Sequence, residues 1–425
     1  MWAGLFVSVA LWWWDTPPSS LNNRAELLVA AGRITGLVAG YLLLVQILLM
    51  SRLGLLERYV GTELLTRWHR DVGGTLVAAV VAHALTTLVG YSLLDDLSLL
   101  AELRVLRAEY EDMTSAVVAA ALLVLVALLA IRSVRLRMNY EAWKFFHLAS
   151  YLVLLLGFGH QFANGAQLFR PGFARDYWIG LYVAVLVALA WGRIVAPLIL
   201  NLRYQLHVAN VVPEGPDIIS VYISGRNLHR IGHAGQFFRW RFLHRDYVWQ
   251  AHPFSLSASP HPDWLRLTVK VVGAHTSALR ALPVGTRVWA QGPYGAFTAL
   301  RRTRPRALLI AGGSGIAPIR ALLEELPLGA AVIYRASQVH DVVLRSELDR
   351  LAEARHADVY YVIGSRDDPG PRAVMTGDGL RQIVPDLHRR DVYLCGPPGL
   401  VEVALRALRA AKVPRRQVHQ TTFEL

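Results

Sequence analysis

The chain has 425 residues, enough for two or three domains, and 54% of them are apolar, with the surplus concentrated before residue 200. A net charge of +13 invites a nucleic-acid reading, but the basic residues are divided between membrane flanks and the tail region without an aromatic-interleaved stripe. The single cysteine, Cys395, excludes an intramolecular disulfide and a cysteine-ligated iron–sulfur cluster.

In chain order, residues 1–14 are apolar and tryptophan-rich but short, fit for a shortened first span or an interfacial anchor. They lack the basic start and small-residue cleavage site of a secretory signal, so they are expected in the mature chain. Stretches near residues 28–50, 72–94, 114–133, 145–163 and 177–200 each approach the length that crosses a bilayer. The expectation is a transmembrane bundle of about six helices. One loop carries Arg52, Arg58, Arg67 and Arg70, and another carries Arg132, Arg135, Arg137 and Lys144. The intervening loop is acidic, with Asp95, Asp96, Glu102, Glu109, Glu111 and Asp112 against Arg104 and Arg107. The positive-inside rule puts both basic loops in the cytoplasm, so everything after about Asn201 is also cytoplasmic. The predicted location is multi-pass in the cell membrane.

Four histidines occur in the first two hundred residues, all in apolar helical segments. His69 and His83 are fourteen apart; His147 and His160 are thirteen apart. Each interval spans roughly 20 Å of helix, most of a bilayer's hydrocarbon thickness. A lone histidine in an apolar helix is ordinarily a satisfied core residue or polar glue between helices. Four at matching intervals predict two stacked His/His sites, His69/His147 near the inner face and His83/His160 near the outer. Neutral imidazole is a good axial ligand for haem iron, and two stacked haems would carry electrons across the membrane. On an ideal helix fourteen steps return to nearly the same face, whereas thirteen fall roughly 140° off.

From residue 205 the pattern changes to short alternating runs such as IISVYISG, GQFFRWRFL and WLRLTVKVVG, the signature of a small antiparallel barrel or sandwich. After Arg304 it becomes strand, glycine turn, helix, as in RALLIAGGSGIAPIRALLEEL, which predicts a parallel α/β nucleotide-binding domain. The expected domains are 1–203, transmembrane and di-haem; 204–303, a β-barrel; and 304–425, α/β. AGGSGIAP at residues 311–318 can bring backbone N–H groups to a pyrophosphate, although many α/β turns need glycine for backbone reasons alone. HPFSLSAS at residues 252–259 can hydrogen-bond a flavin ring or form a β-turn with polar caps, and CGPPG at residues 395–399 can be a plain strand-end turn.

The order HPFSLSAS, KVVGAHTSAL, GPYGAF, AGGSGIAP, YLCGPPG resembles the ferredoxin–NADP⁺ reductase superfamily. With the paired histidines in a multi-span segment, the chain from about residue 25 onward is similar to the NADPH oxidase and ferric reductase family, of bacterial type. That resemblance implies FAD lined by His252, Pro253, Phe254, Ser255 and Ser257, with its pyrophosphate held by Gly273, Thr276 and Ser277. It implies a nicotinamide dinucleotide cradled by Gly312, Gly313, Gly315 and Pro318, with Cys395, Gly396 and Pro397 beside the nicotinamide. Phe423 matches the C-terminal aromatic that stacks on the flavin. Ser365 and Arg366 match the pair that binds the 2′-phosphate, which favours NADPH, since a guanidinium suits a phosphate by fork geometry and permanent charge; a solvated loop charge is the plainer reading of Arg366.

There are departures. Ala317 stands where the family often has threonine, and Thr87 stands where eukaryotic superoxide-forming oxidases have a further histidine. Arg33 matches an intramembrane arginine of those oxidases, with haem propionates as partners or a path to the outer surface. The resemblance implies electron transfer from NADPH through FAD and two b-type haems to an extracytoplasmic small molecule. Histidine spacing in both helices follows the oxidases and points to oxygen, giving superoxide. A ferric chelate, an electron-donor module for a separate reductase, and a membrane scaffold with core histidines are the alternatives.

Overall fold

The computed structural model describes residues 2–16, 21–169, 171–245, 248 and 250–422. They form two compact units, residues 1–53 with 64–191 and residues 54–63 with 192–425.

The first unit is helical. Helices α1 (Trp2–Asp15) and α2 (Arg24–Leu49) are followed by α3 (Gly54–Tyr59), which belongs to the second unit, and by the long α4 (Thr62–Leu94). Then come α5 (Leu99–Glu109), α6 (Met113–Ala130), α7 (Arg132–Arg135), α8 (Tyr140–Leu148), α9 (Ser150–Asn164), α10 (Ala166–Phe169) and α11 (Phe173–Ala190). Asn23 caps α2 by accepting the Glu26 N–H at 2.8 Å, which fixes where the first long span begins. Among the described residues five helices are long and apolar enough to cross a membrane: Arg24–Leu49, Thr62–Leu94, Met113–Ala130, Ala142–Asn164 and Phe173–Tyr204. That is one fewer than expected. At 14 residues α1 is too short, and it lies against its neighbours instead. The Tyr177 hydroxyl of α11 donates to the Gly4 carbonyl at 2.8 Å.

Large apolar side chains such as Leu85, Val118, Leu155 and Val187 point outward, as a lipid-facing surface requires. Polar contacts lie between helices: Gln46 donates to the His69 carbonyl at 2.8 Å, and Tyr182 to Gln161 at 2.5 Å. The last span turns through a π-helical stretch at Trp191–Val195 into α12 (Ala196–Tyr204), where Pro197 supplies no N–H.

In the second unit Asn201 of α12 bonds both the N–H and the carbonyl of Ala290, at 2.9 and 2.8 Å. Ala290 lies on β6 (Val288–Tyr294), the last of six strands that include β1 (His207–Gly215), β2 (Ile218–Ser224), β3 (Phe237–Phe242), β4 (His252–Ser255) and β5 (Trp264–Lys270). They form two three-stranded antiparallel sheets, β1-β2-β5 and β4-β3-β6. Single bridges, His207 to Arg287 and Leu256 to Leu267, join them, so the expected barrel is two sheets linked at isolated points rather than a continuous ladder. Val221, Ile223, Phe238, Trp240 and Leu267 fill the space between. The short α13 (Ala274–Ala278) follows β5.

The remainder alternates β7 (Arg306–Gly312), α14 (Ile316–Glu325), β8 (Ala331–Ala336), α15 (Arg345–Ala354), β9 (Asp358–Ile363), α16 (Pro369–Val374), α17 (Gly377–Ile383), β10 (Arg390–Gly396), α18 (Pro398–Ala410) and β11 (Val418–Thr422). The sheet is parallel throughout, in the order β11-β10-β7-β8-β9. Leu308 and Ile310 of β7 enter one core while Leu309 and Ala311 enter the other, so both faces are covered by helices.

Candidate functional site

The four membrane histidines meet in pairs. The ring centres of His69 on α4 and His147 on α8 are 5.9 Å apart, and those of His83 on α4 and His160 on α9 are 6.3 Å apart. The thirteen-residue interval is reconciled with this pairing by a break at Ala149 between α8 and α9. There Ala149 donates to Phe146 at 3.1 Å and Leu152 to Ala149 at 2.9 Å, both three-residue bonds. Tighter winding at such a turn supplies part of the missing rotation.

The surroundings of the two pairs differ. His83 Nδ1 donates to the Gly32 carbonyl at 2.8 Å, which leaves Nε2 of the neutral ring as the lone-pair nitrogen. Space for that ring exists because residue 36 is glycine: a Cβ there would lie 2.8 Å from Nδ1. Nδ1 of His69 and of His147 is buried with no hydrogen-bond partner among the described residues. Trp143 stacks on His147 at 5.0 Å, and the Arg135 guanidinium covers Trp143 at 4.6 Å. Arg33 sits beside Gly32 on α2 with its side chain exposed, and Thr87 packs against Gly32. Among the described residues no group of three or more His, Cys, Asp or Glu could hold a metal ion.

In the second unit the order of the parallel sheet reverses between β7 and β10, and a crevice at such a switch point is where open α/β sheets take ligands. AGGSG ends β7 and CGPPG ends β10, with Cys395 paired to Ala311 across the ladder. A Cβ on Gly315 would come 2.2 Å from the Cys395 carbonyl oxygen, so only glycine lets the two turns touch. Gly313 takes φ +55 with open space beyond it, while Gly312 and Gly396 pack against Leu400. Pro318 is buried in the first turn of α14, as is Ala317. Pro397 caps α18. Cys395 is wholly buried, and burial pushes its thiol well above the usual range, which favours the neutral thiol.

The flavin-motif residues lie elsewhere in this unit. His252, Pro253, Phe254 and Ser255 form β4, with Ser255 buried, Phe254 packed on the sheet core and Pro253 exposed. Ser257 is wholly buried, and its hydroxyl accepts from Arg266 Nε at 3.0 Å and from the Thr268 hydroxyl at 2.8 Å. Thr276 accepts the Val272 and Gly273 N–H groups at 2.9 and 3.2 Å, leaving exposed Ser277 beside open space at Gly273. Ser365 and Arg366 follow β9, with Arg366 90% exposed. Phe423 lies outside the described residues.

Sequence reasoning missed a cluster next to Ser257. Arg266, 4% exposed, holds Glu347 of α15 through both carboxylate oxygens at 2.9 and 2.8 Å, and Glu347 also meets Arg320 of α14 at 2.6 Å. Arg266 alternates with Leu265 and Leu267 in β5, so on pattern alone it reads as a solvent-facing strand residue. It missed Arg335 too, which closes the ends of β8 and β9 by donating to the Val362 and Gly364 carbonyls at 3.1 and 2.7 Å.

Comparison with known proteins agrees with this layout. Residues 35–158 match the family described as "Ferric reductase like transmembrane component", residues 203–298 an FAD-binding domain, and residues 309–406 an oxidoreductase NAD-binding domain. The chain joins a ferric-reductase-like transmembrane domain to an FAD/NAD(P)H reductase module. This domain composition supports an NAD(P)H-dependent oxidoreductase, and the membrane-length helices support a multi-pass protein with a cytoplasmic catalytic module. The matches do not single out the NADPH oxidases. A flavohemoprotein from Xylella fastidiosa is 29% identical over 202 residues, 45% of this chain and 50% of that protein. The toluate 1,2-dioxygenase electron transfer component from Pseudomonas putida is 29% identical over 233 residues, 52% of this chain and 67% of the relative. Among solved structures, a ferredoxin reductase in carbazole 1,9a-dioxygenase is 22% identical over 52% of this chain and 69% of its own, with a TM-score of 0.44. The chain spans about half the length of several curated relatives it matches.

Proposed function

We propose that the protein carries electrons from NADPH, through FAD and two b-type haems, across a membrane to an extracytoplasmic acceptor. The observation that carries this reading is the pair of facing imidazole couples, 5.9 and 6.3 Å between ring centres, on the same helical segments. One metal atom between two imidazoles, at roughly 2.0–2.1 Å from each nitrogen, puts the ring centres about 6 Å apart. A bis-histidine haem needs two ligands, so the lack of a three-residue cluster does not count against it. The Nε2 of His83, left as the lone-pair nitrogen by the Nδ1 bond to Gly32, suits ligation.

When bound, the flavin would accept two electrons together and release them singly to haems that carry one at a time. His69 with His147 would hold the inner haem, and His83 with His160 the outer, with Arg33 available to the propionates. His252, Pro253, Phe254, Ser255 and Ser257 would line FAD, and Gly273, Thr276 and Ser277 would hold its pyrophosphate. The open glycine turn at Gly313, with Gly312, Gly315 and Pro318, would take the dinucleotide. Cys395, Gly396 and Pro397 would wall the nicotinamide with a neutral thiol, and Phe423 would cover the flavin. Ser365 and Arg366 would select the 2′-phosphate, their exposure leaving them open to it. The domains divide at 203 and 303 in this reading.

Oxygen giving superoxide is the preferred acceptor, because the histidine spacing follows the oxidases. A ferric chelate is the second reading, favoured by the ferric-reductase match over residues 35–158. The test is the anaerobic visible spectrum of the purified protein before and after NADPH, followed by air. Haem bands that appear with NADPH and collapse in air with superoxide support an oxidase; bands that persist in air until a ferric chelate is added support the second reading. Absence of haem from a haem-replete preparation overturns both.

A further inference from the structure

The buried charge cluster around Ser257 ties the flavin lobe to the dinucleotide lobe within the second unit. Arg266 comes from β5 of the first lobe, and Arg320 and Glu347 come from α14 and α15 of the second. The Ser257 carbonyl receives both guanidinia, Arg266 Nη2 at 2.8 Å and Arg320 Nη1 at 3.3 Å. Glu347 sits between the same two cations, and Arg320 also pairs with Glu324 at 2.8 Å. The next residues of the motif are held from the same helix. Ser259 N–H donates to Glu324 at 2.5 Å, and the Ser259 hydroxyl donates to Glu325 at 2.9 Å, which also accepts the Ala234 N–H at 2.8 Å.

Apolar contact alone would hold the lobes together without fixing their angle. Charge-assisted hydrogen bonds are directional, Arg320 divides its two Nη atoms between Glu324 and Glu347, and a charge left alone in a buried site is costly, so this cluster permits few relative placements. Its position matters: α14 begins at Ile316, directly after the glycine turn, and Arg320 is two residues beyond Pro318. The Ser257–Ser259 stretch continues directly from β4.

We propose that Arg266, Arg320 and Glu347 are positioning residues that set the placement of the flavin strand against the dinucleotide turn, and hence the rate at which flavin is reduced. They touch neither cofactor in this scheme; they act through Ser257 and α14. Removing the Glu347 charge leaves Arg266 without its carboxylate and Arg320 with Glu324 alone, so the charged tie between β5 and α15 is lost and the angle opens. Misplacement of reacting groups by about 1 Å costs on the order of 100-fold in rate. The proposal rests on the NADPH-to-FAD reading above.

The test uses the full flavin-loaded chain and Glu347→Gln, with Arg320→Lys as a second variant that keeps the charge but loses the fork. Arg345→Ala, which loses an exposed ion pair on the same helix, is the control. The expected result is unchanged flavin content, an NADPH affinity within about twofold, and flavin reduction at saturating NADPH at least about 10-fold slower. Amide hydrogen exchange over residues 256–259 of the flavin-free chain is faster in both variants and unchanged in the control. Wild-type rates in both variants overturn the proposal, as does slowing that lost flavin or weaker NADPH binding fully explains. If the unmodified chain fails to reduce flavin with NADPH, the function reading falls, and unaltered exchange would then overturn the clamp itself.

Discussion

The two units solve opposite problems with the same chain. In the membrane unit large apolar side chains face outward and the informative groups are few polar residues turned inward, such as His69, His83, Gln46 and Gln161. In the second unit the apolar side chains form packed cores, and the candidate site is mostly backbone: glycine turns, strand ends and helix starts. Side-chain identity therefore carries the proposed chemistry in one unit and side-chain absence carries it in the other. A histidine replaced in the first, or a methyl group added in the second, should each disable one half and spare the other.

The sharpest break comes from His83→Ala. We expect electron delivery beyond the inner pair to be lost, bound haem to fall by about half, and flavin reduction by NADPH to survive. Haem per flavin and stopped-flow absorbance would measure this, and full haem retention would sink the ligand assignment. Gly315→Val should do the reverse. Its side chain must enter the 2.2 Å approach to the Cys395 carbonyl, so NADPH-dependent flavin reduction should fall by about 100-fold with haem content intact. Equal loss of haem would show that the units do not fail separately.

A smaller effect is expected at Arg366. Arg366→Ala should reduce the preference for NADPH over NADH by about tenfold in kcat/KM, and an unchanged ratio would return this residue to a solvated loop charge. The smallest concerns stability. His419 stacks on Tyr393 at 4.6 Å and lies 3.3 Å from Asp391, and burial holds it below the usual histidine range despite that carboxylate. The unfolded chain then binds more protons just below about pH 6.5, so stability present above that value declines as pH falls through it. Thermal melts should show Tm falling as pH drops below about 6.5, and His419→Asn should flatten that part of the profile.

Much of this was legible because it is local. Apolar length announced the five spans, glycine turns announced the ends of β7 and β10, and the change of period near residue 205 separated two kinds of architecture. What was hidden depends on distant partners. Nothing in YEAWKFFHLASYL signals the break at Ala149, since alanine favours unbroken helix. Helix α5 was read only as an acidic loop, although Ser98 caps it and Leu106 is buried along one face. Arg266 and Glu347 are 81 residues apart, and each is unremarkable on its own element until the fold brings the two side chains together.

The break at Ala149 has a mechanical consequence. One helix carrying a histidine of each pair, α4, is unbroken, while its counterpart passes through a tight three-residue turn at Ala149 between α8 and α9. A bilayer thinner or thicker than the spans forces tilting or bending, and an interrupted helix bends before an unbroken one. Bending there displaces His147 and His160 unequally against their partners. The spacing of the imidazole pairs then becomes sensitive to the thickness of the host membrane, and lipid chain length becomes a lever on the proposed electron path that needs no ligand and no mutation.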